Sequence, residues 1–377
     1  MSIAAGQAER APMRSRALYA LLLGLGALDA AGYSLIAPVL PGLAAQTGAD
    51  ATTAGLLVAT FPLGMVAGFT VGGAMVQRAG PARLVLAGLS LIAAGSLGFA
   101  LDVDLVVFAA SRLVMGVGSG CLWLGITFAA LAAWPGQEYL CMSRIYAAYS
   151  VGGLLGPLLG AIHGERGPFA AYLTLVLLAV VPALMLRLPS GVGAFSADRG
   201  ALCSPGFRAA AVAIVFAVLS LGMFEGVLPL HFGTKLDQSR IGVLYAATSV
   251  VVAVAGVVAA RWRPRRVLLV STVLVVAGFA VAGASSVVPV WVAALALAGA
   301  GIGLANTGAT GVLLDCVPAP RIVTAMVLWS QLGILGYLFA PLLGGPVADA
   351  FGYGAIAVIV AVTALGTAAM LVRGDRA

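Results

Sequence analysis

Three ionisable side chains stand alone in long apolar stretches of this chain: Asp29 in LDAAGY, Arg112 in SRLVMG and Glu225 in FEGVLP. If those stretches lie in lipid, each charge costs about 2.5 kcal/mol or more, so each must face a protein interior or a water path. A carboxylate taken out of water binds a proton more readily, which is what loading and releasing protons near neutral pH requires. Asp29 and Glu225 therefore read as proton or cation acceptors. Tyr33, four residues after Asp29, shares its helical face. Arg112 stays charged and carries five donors. It can hold a carboxylate such as Asp29 ionised until protonation breaks the pair, or tie down backbone carbonyls of a neighbouring helix. The bland alternative for all three is a static polar contact that fixes helix packing. Trp123, Tyr146, Tyr149, Trp329 and Tyr337 also sit mid-stretch. Rings there serve core packing or cation–π contact with an organic cation. Asn306 and Gln331 are polar candidates for the same cavity.

Other chemistries lack their residues. GVGSG and GAGIG lie inside apolar 20-mers with no GK[ST] after them, so they are not nucleotide loops. Small residues there let helices approach closely. His163 and His231 have no acidic neighbours at ligand spacing, so no metal site is expected, and both read as solvated helix-end residues. Cys121, Cys141, Cys203 and Cys316 are far apart and form no CxxC; they read as small apolar residues. Without an ATP motif, energy must come from an ion gradient or the substrate's own gradient, and no cofactor is expected.

The elements that must position these residues follow from composition. The 377 residues are 62% hydrophobic and 9% charged, with mean hydropathy +1.11. Soluble domains carry roughly 25% charge; lipid is the solvent that fits this chain. The net charge of +7 does not indicate nucleic acid, because the arginines punctuate apolar runs as they do in cytoplasmic loops. Twelve runs are long enough to span: 17–40, 52–76, 82–101, 104–133, 139–163, 168–187, 208–231, 240–261, 265–286, 289–315, 321–346 and 351–372. Placing both termini in the cytoplasm puts sixteen basic residues inside and leaves only Arg166, Lys235 and Arg240 outside. Asp315 then reads as an ordinary interfacial residue. The expected organisation is a tail over 1–16, a six-helix bundle over 17–187, a linker over 188–207, a second bundle over 208–372 and a tail over 373–377. The tail over 1–16 has no cleavage site after the first run, so that run reads as a retained span.

The two bundles repeat. At an offset of 183, Gly73, Arg78, Pro81 and Arg83 meet Gly256, Arg261, Pro264 and Arg266, and Gly116, Gly118 and Gly120 meet Gly299, Gly301 and Gly303. With a one-residue slip, Pro157 of GPLLGA meets Pro341 of APLLGG. Parallel six-helix repeats with a substrate site at their interface are a known transporter plan.

On these residues the chain resembles the major facilitator superfamily. GGAMVQRAGPARLVL is similar to the family's gating loop at Gly73, Arg78, Gly80 and Arg83, with Gln77 where the family has an acid. SRLVMGVGSG resembles the fourth-helix motif, with Arg112 as its membrane arginine. GGLLGPLLGA resembles the fifth-helix signature of proton-driven exporters at Gly152, Gly156, Pro157 and Gly160. The segments around Asp29 and Glu225, and GYLFAPLLGG, resemble vesicular amine transporters and related drug:proton antiporters. Gly156–Pro157 can bend or break its helix, which makes it a candidate hinge.

The resemblance implies a twelve-helix, all-α membrane transporter that exports small lipophilic compounds, cations above all, in exchange for protons by alternating access. It places the chain in a bacterial inner membrane, with substrate, protons and lipid as partners, while the internal repeat makes a functional monomer the expectation. An uptake permease for a small metabolite and, remotely, an intramembrane enzyme using Asp29 and Glu225 are the alternatives.

Overall fold

The computed structural model describes residues 13–101, 104–134, 137–162, 164, 166–185, 205–317 and 322–373. Most of the linker expected over 188–207 lies outside them, as do His163, Cys203 and most of both tails. Among the described residues the chain forms thirteen α-helices and one short 3-10 turn, Tyr353–Ala355. In chain order they are α1 (Met13–Ser34), α2 (Ile36–Thr47), α3 (Ala51–Leu101), α4 (Leu105–Ala133), α5 (Glu138–Gly160), α6 (Gly167–Met185), α7 (Pro205–Gly226), α8 (Leu228–Phe232), α9 (Gln238–Ala259), α10 (Pro264–Ala284), α11 (Val288–Cys316), α12 (Ile322–Phe351) and α13 (Ile356–Arg373).

Among the described residues, ten helical stretches are long and apolar enough to cross a bilayer. The longest, α3, holds two crossings in its 51 residues, and α5, at 23 residues, has the length of another. Large apolar side chains remain exposed on the outside, such as Leu101, Leu178 and Val257, as a lipid-facing surface requires.

The reversal inside α3 falls in the expected gating loop. Gly80 has φ 76° and ψ 165°, a region open essentially to glycine alone. A Cβ at Gly73, by contrast, meets nothing within 4 Å. Gly80→Ala is expected to cost about 1–3 kcal/mol. Thermal unfolding in detergent reads this as a lowered midpoint for Gly80→Ala and no loss for Gly73→Ala.

Each half begins with a broken span. α1 and α2 part at Leu35, and α7 and α8 part at Val227. Pro38 and Pro229 lack the N–H that would bond back one turn, to Ser34 and Glu225. Each break follows shortly after an acid, Asp29 or Glu225.

Within the first half α3 packs on α4 and α1 on α5; within the second, α10 packs on α11 and α12 on α7. The halves meet mainly where α3 crosses α12 and α5 crosses α9. Close backbone seats hold those crossings at the end of the bundle away from the termini, here called the distal end. Gly55 of α3 rests on the carbonyl of Pro341, and Gly242 of α9 rests on the carbonyl of Pro157. A Cβ at either glycine would strike that oxygen. Two polar latches lie beside these seats. The Asp349 carboxylate accepts from the Ala51 N–H (3.1 Å), the Thr52 N–H (2.7 Å) and the Thr52 hydroxyl (2.6 Å). The Gln238 amide donates to the carbonyls of Gly160 (2.8 Å) and Ile162 (2.7 Å) at the end of α5.

One expectation needs correction here and one gains a neighbour. α5 runs without a break through Gly156–Pro157 to Gly160, with Pro157 inside the helix. Its glycines form a seat for α1: Gly152 lies on the Ala27 carbonyl, Gly156 on the Ala31 carbonyl and Ser34, and Gly160 on the Leu35 carbonyl and Pro38. His231 is half-buried instead of solvated. Its ring stacks on Tyr353 (4.8 Å) and its Nε2 lies 2.9 Å from the Ser285 carbonyl, which ties the distal end of the second half together. Asp315 is exposed at the end of α11, as expected of an interfacial residue.

Candidate functional site

The charged residues buried among the described residues are Asp29, Arg112 and Glu225, exposed by 2%, 0% and 5%. α1 carries Asp29 and Tyr33, α4 carries Arg112 and α7 carries Glu225. Glu225 lies at the end of α7, next to its last residue Gly226, and is nonetheless buried. It is covered because the distal seats close over it: Gly226, the next residue, packs against Val58 and Pro341.

A continuous string of side chains joins the halves below that seam. The Tyr337 hydroxyl of α12 donates to Glu225 Oε2 at 3.2 Å. The Tyr337 ring lies 4.1 Å from the ring of Tyr33, which meets Phe61 edge-on at 5.5 Å. The Arg112 guanidinium sits 4.4 Å above the Phe61 ring, a cation–π contact in a water-poor setting. Arg112 Nη1 donates to the Gly32 carbonyl at 3.3 Å.

Arg112 therefore makes the backbone contact of the two alternatives read from sequence. Among the described residues it has no carboxylate within ion-pair distance, Asp29 included. Its Nε and Nη2 have no hydrogen-bond partner, and neither do both carboxylate oxygens of Asp29, Ser119 Oγ or Thr127 Oγ1. Ser119 is near enough to Asp29 to act on it, yet the two do not form a bond of normal geometry. Buried polar atoms in folded proteins are nearly all bonded. Orphans on α4, with the Asp29 carboxylate on α1 near Ser119, mark a place where something else supplies the partner.

An aromatic cluster reaches this group through Tyr149. Trp123 meets Tyr146 at 5.3 Å and Tyr149 at 5.4 Å, both edge-on. Tyr149 is in electrostatic reach of both Asp29 and Glu225. The other candidates stand apart. Trp329 gives its indole N–H to the Ala210 carbonyl at 3.0 Å, which pins α12 to α7. Asn306 gives its amide to Ile302, one turn back on its own helix, at 3.1 Å. Gln331 is half-buried on α12. Gln77, Arg78 and Arg83 are exposed at the α3 reversal and have no hydrogen bond or ion pair among the described residues.

Sequence reasoning missed four contributors. Gly32 has the hydroxyl of Tyr172 packed where a Cβ would stand. Phe61 carries the guanidinium, and Ser119 faces Asp29. Ser119 stood inside GVGSG, where its neighbours pointed to packing. Phe61 and Tyr172 carry no local signal beyond being aromatic.

No cluster of three or more potential metal ligands occurs among the described residues. A family model described as Major Facilitator Superfamily matches residues 22–209 and again residues 210–377. The chain belongs to the Major Facilitator Superfamily. It is a multi-pass membrane transporter, not an enzyme, and the intramembrane-enzyme alternative falls with that. The twofold match is the internal repeat read from the sequence.

Within the superfamily, the quinolone resistance protein NorA of Staphylococcus aureus (strain MSSA476) is 26% identical over 228 residues, 58% of this chain and 59% of that one. Multidrug resistance protein 2 of Bacillus subtilis (strain 168) is 27% identical over 159 residues, 41% of this chain and 40% of that one. Each match spans less than two thirds of the relative's length. Among solved structures, a bacterial homologue of the human lysosomal transporter Spinster, inward-facing and unoccupied, superposes with a TM-score of 0.75 at 12% identity, covering 96% of this chain and 95% of that one. That likeness concerns the fold alone.

Proposed function

We propose that this superfamily member exports small lipophilic cations in exchange for protons. The observation that carries the reading is Asp29: a carboxyl buried mid-span, both oxygens without a hydrogen bond, at an aromatic-walled seam that also holds Glu225 of the other half. A buried carboxylate without a partner is stable only if it takes a proton or a cation. The faces of Trp123, Tyr149, Tyr33 and Tyr337 suit an organic cation better than an anion, and Arg112 is held away, on the Gly32 carbonyl and Phe61.

The distal end is sealed in this conformation, and in this reading the site is reached from the terminal side. With both termini cytoplasmic, substrate enters from the cytoplasm and occupies Asp29. Rearrangement opens the distal end, external protons displace the cation, and the protonated site returns. The proton gradient is the energy source, no cofactor takes part, and a single chain in the bacterial cytoplasmic membrane suffices. The names of NorA and of Multidrug resistance protein 2 support drug efflux.

Everted membrane vesicles test this directly. Energised vesicles carrying the protein are expected to accumulate fluorescent cationic dyes, and a protonophore is expected to release them. Accumulation of a metabolite by intact cells, with no dye movement in vesicles, supports an uptake permease instead.

A further inference from the structure

We propose that the second half carries a site for one anionic phospholipid, its acyl chain in a groove between α9 and α10 and its headgroup phosphate on the arginines of the turn that joins them. The groove holds about 430 Å³. Val250, Val254 and Val258 of α9, Trp262 of the turn, and Val270 and Leu274 of α10 form its walls. Ala255 and Ala259 keep its floor low, and Leu304 of α11 closes the back. From Val250 to Ala259, where α9 ends, it runs nine residues, about 14 Å along the helix, with Trp262 of the turn beyond. Half of a bilayer's hydrocarbon core is about 15 Å, so the groove matches one acyl chain in depth.

Its polar end commits it to an anionic lipid. Arg261, Arg263, Arg265 and Arg266 crowd the turn and the first residues of α10, and all are exposed. Arg261, Arg263 and Arg266 have no acidic partner within ion-pair distance among the described residues. No acid occupies the first turn of α10, and Arg263 makes no side-chain cap. Cations at a helix N-terminus run against its dipole, so these arginines do not serve helix stability. Trp262, 54% exposed, stands between them and the groove, at the level where indoles settle at a headgroup layer.

The first half is an internal control. Its equivalent turn keeps Arg78 and Arg83, the partners of Arg261 and Arg266, but has Ala79, Gly80 and Ala82 where the second half has Trp262, Arg263 and Arg265. The extra charge and the indole belong to one half only, on the side where the groove lies.

Each arginine at a headgroup layer strengthens anionic-lipid binding about fivefold. Lipid retained by the detergent-purified protein is read by native mass spectrometry after mixing with equal phosphatidylglycerol and phosphatidylcholine, and separately with glycerol phosphate. Phosphatidylglycerol is expected to be retained over phosphatidylcholine by ~10-fold or more, while glycerol phosphate displaces neither. Arg261→Gln/Arg263→Gln/Arg266→Gln is expected to bring the ratio near unity, and the matching triple lysine variant to keep it. Val254→Trp, which fills the groove, is expected to lose both lipids. Equal retention of the two lipids by the unaltered protein overturns the proposal, as does displacement of phosphatidylglycerol by glycerol phosphate. Neither of these two readings depends on a variant folding.

Discussion

Asp29→Asn will remove uphill export without weakening the fold. Asp29 has no hydrogen bond to lose, and its charge in a buried, membrane-level setting is a cost that the amide lacks. The thermal unfolding midpoint in detergent should hold or rise, a trade of stability for function seen where a site needs an unpaired group. Transport should respond very differently. Proton-driven dye uptake by everted vesicles is expected to fall at least ~10-fold, because an amide neither releases a proton nor balances a cation. A second measurement separates the two roles. If Asp29 only carries the proton, the amide imitates its protonated form, and downhill exchange of dye across unenergised vesicles persists. If Asp29 also faces the cation, exchange falls with the rest. Unimpaired uphill uptake in the variant would remove Asp29 from the mechanism and leave Glu225 to carry it.

The distal latch is the second large effect. Asp349 reaches from α12 of one half to the start of α3 in the other and accepts three hydrogen bonds there. A net hydrogen bond is worth about 1 kcal/mol, and Asp349 is exposed to solvent. Asp349→Ala should therefore shift the balance toward a distally open state by about tenfold, less than three full bonds would give. Val58, fully buried beneath the seam beside Gly226, is the reporter. In a background without the native cysteines, Val58→Cys should react with an impermeant thiol reagent added at the distal side about tenfold faster when Asp349→Ala is present. An unchanged rate means that the glycine–proline seats alone hold the seam.

Much of this was legible in the residues. A charge in an apolar run has few places to go in a membrane protein, so Asp29, Arg112 and Glu225 were singled out by composition, and they are the charged residues buried among those described. The repeat was legible for the same reason: turns and close helix crossings demand glycine, proline and arginine at fixed spacings. What could not be read is which partner each group faces. Arg112 rests on a carbonyl of α1 and a ring of α3, a contact set by how three helices cross, which no local pattern encodes. The fifth-helix signature was legible only in part for a related reason. Gly156–Pro157 is locally a helix breaker, but a close neighbour requires the same glycine, and α1 lies against it. Local propensity could not distinguish the two uses.

The two proline seats also determine how the halves can move. Gly55 on Pro341 and Gly242 on Pro157 are the same contact made twice, once in each direction between the repeats. Two separated points of contact define a line. Rocking about that line spreads the terminal end while both seats stay made, so the terminal side can breathe through a range of widths. Opening the distal end has no such axis, since both seats and both latches must part together. The terminal side should accordingly open by degrees and the distal side all at once.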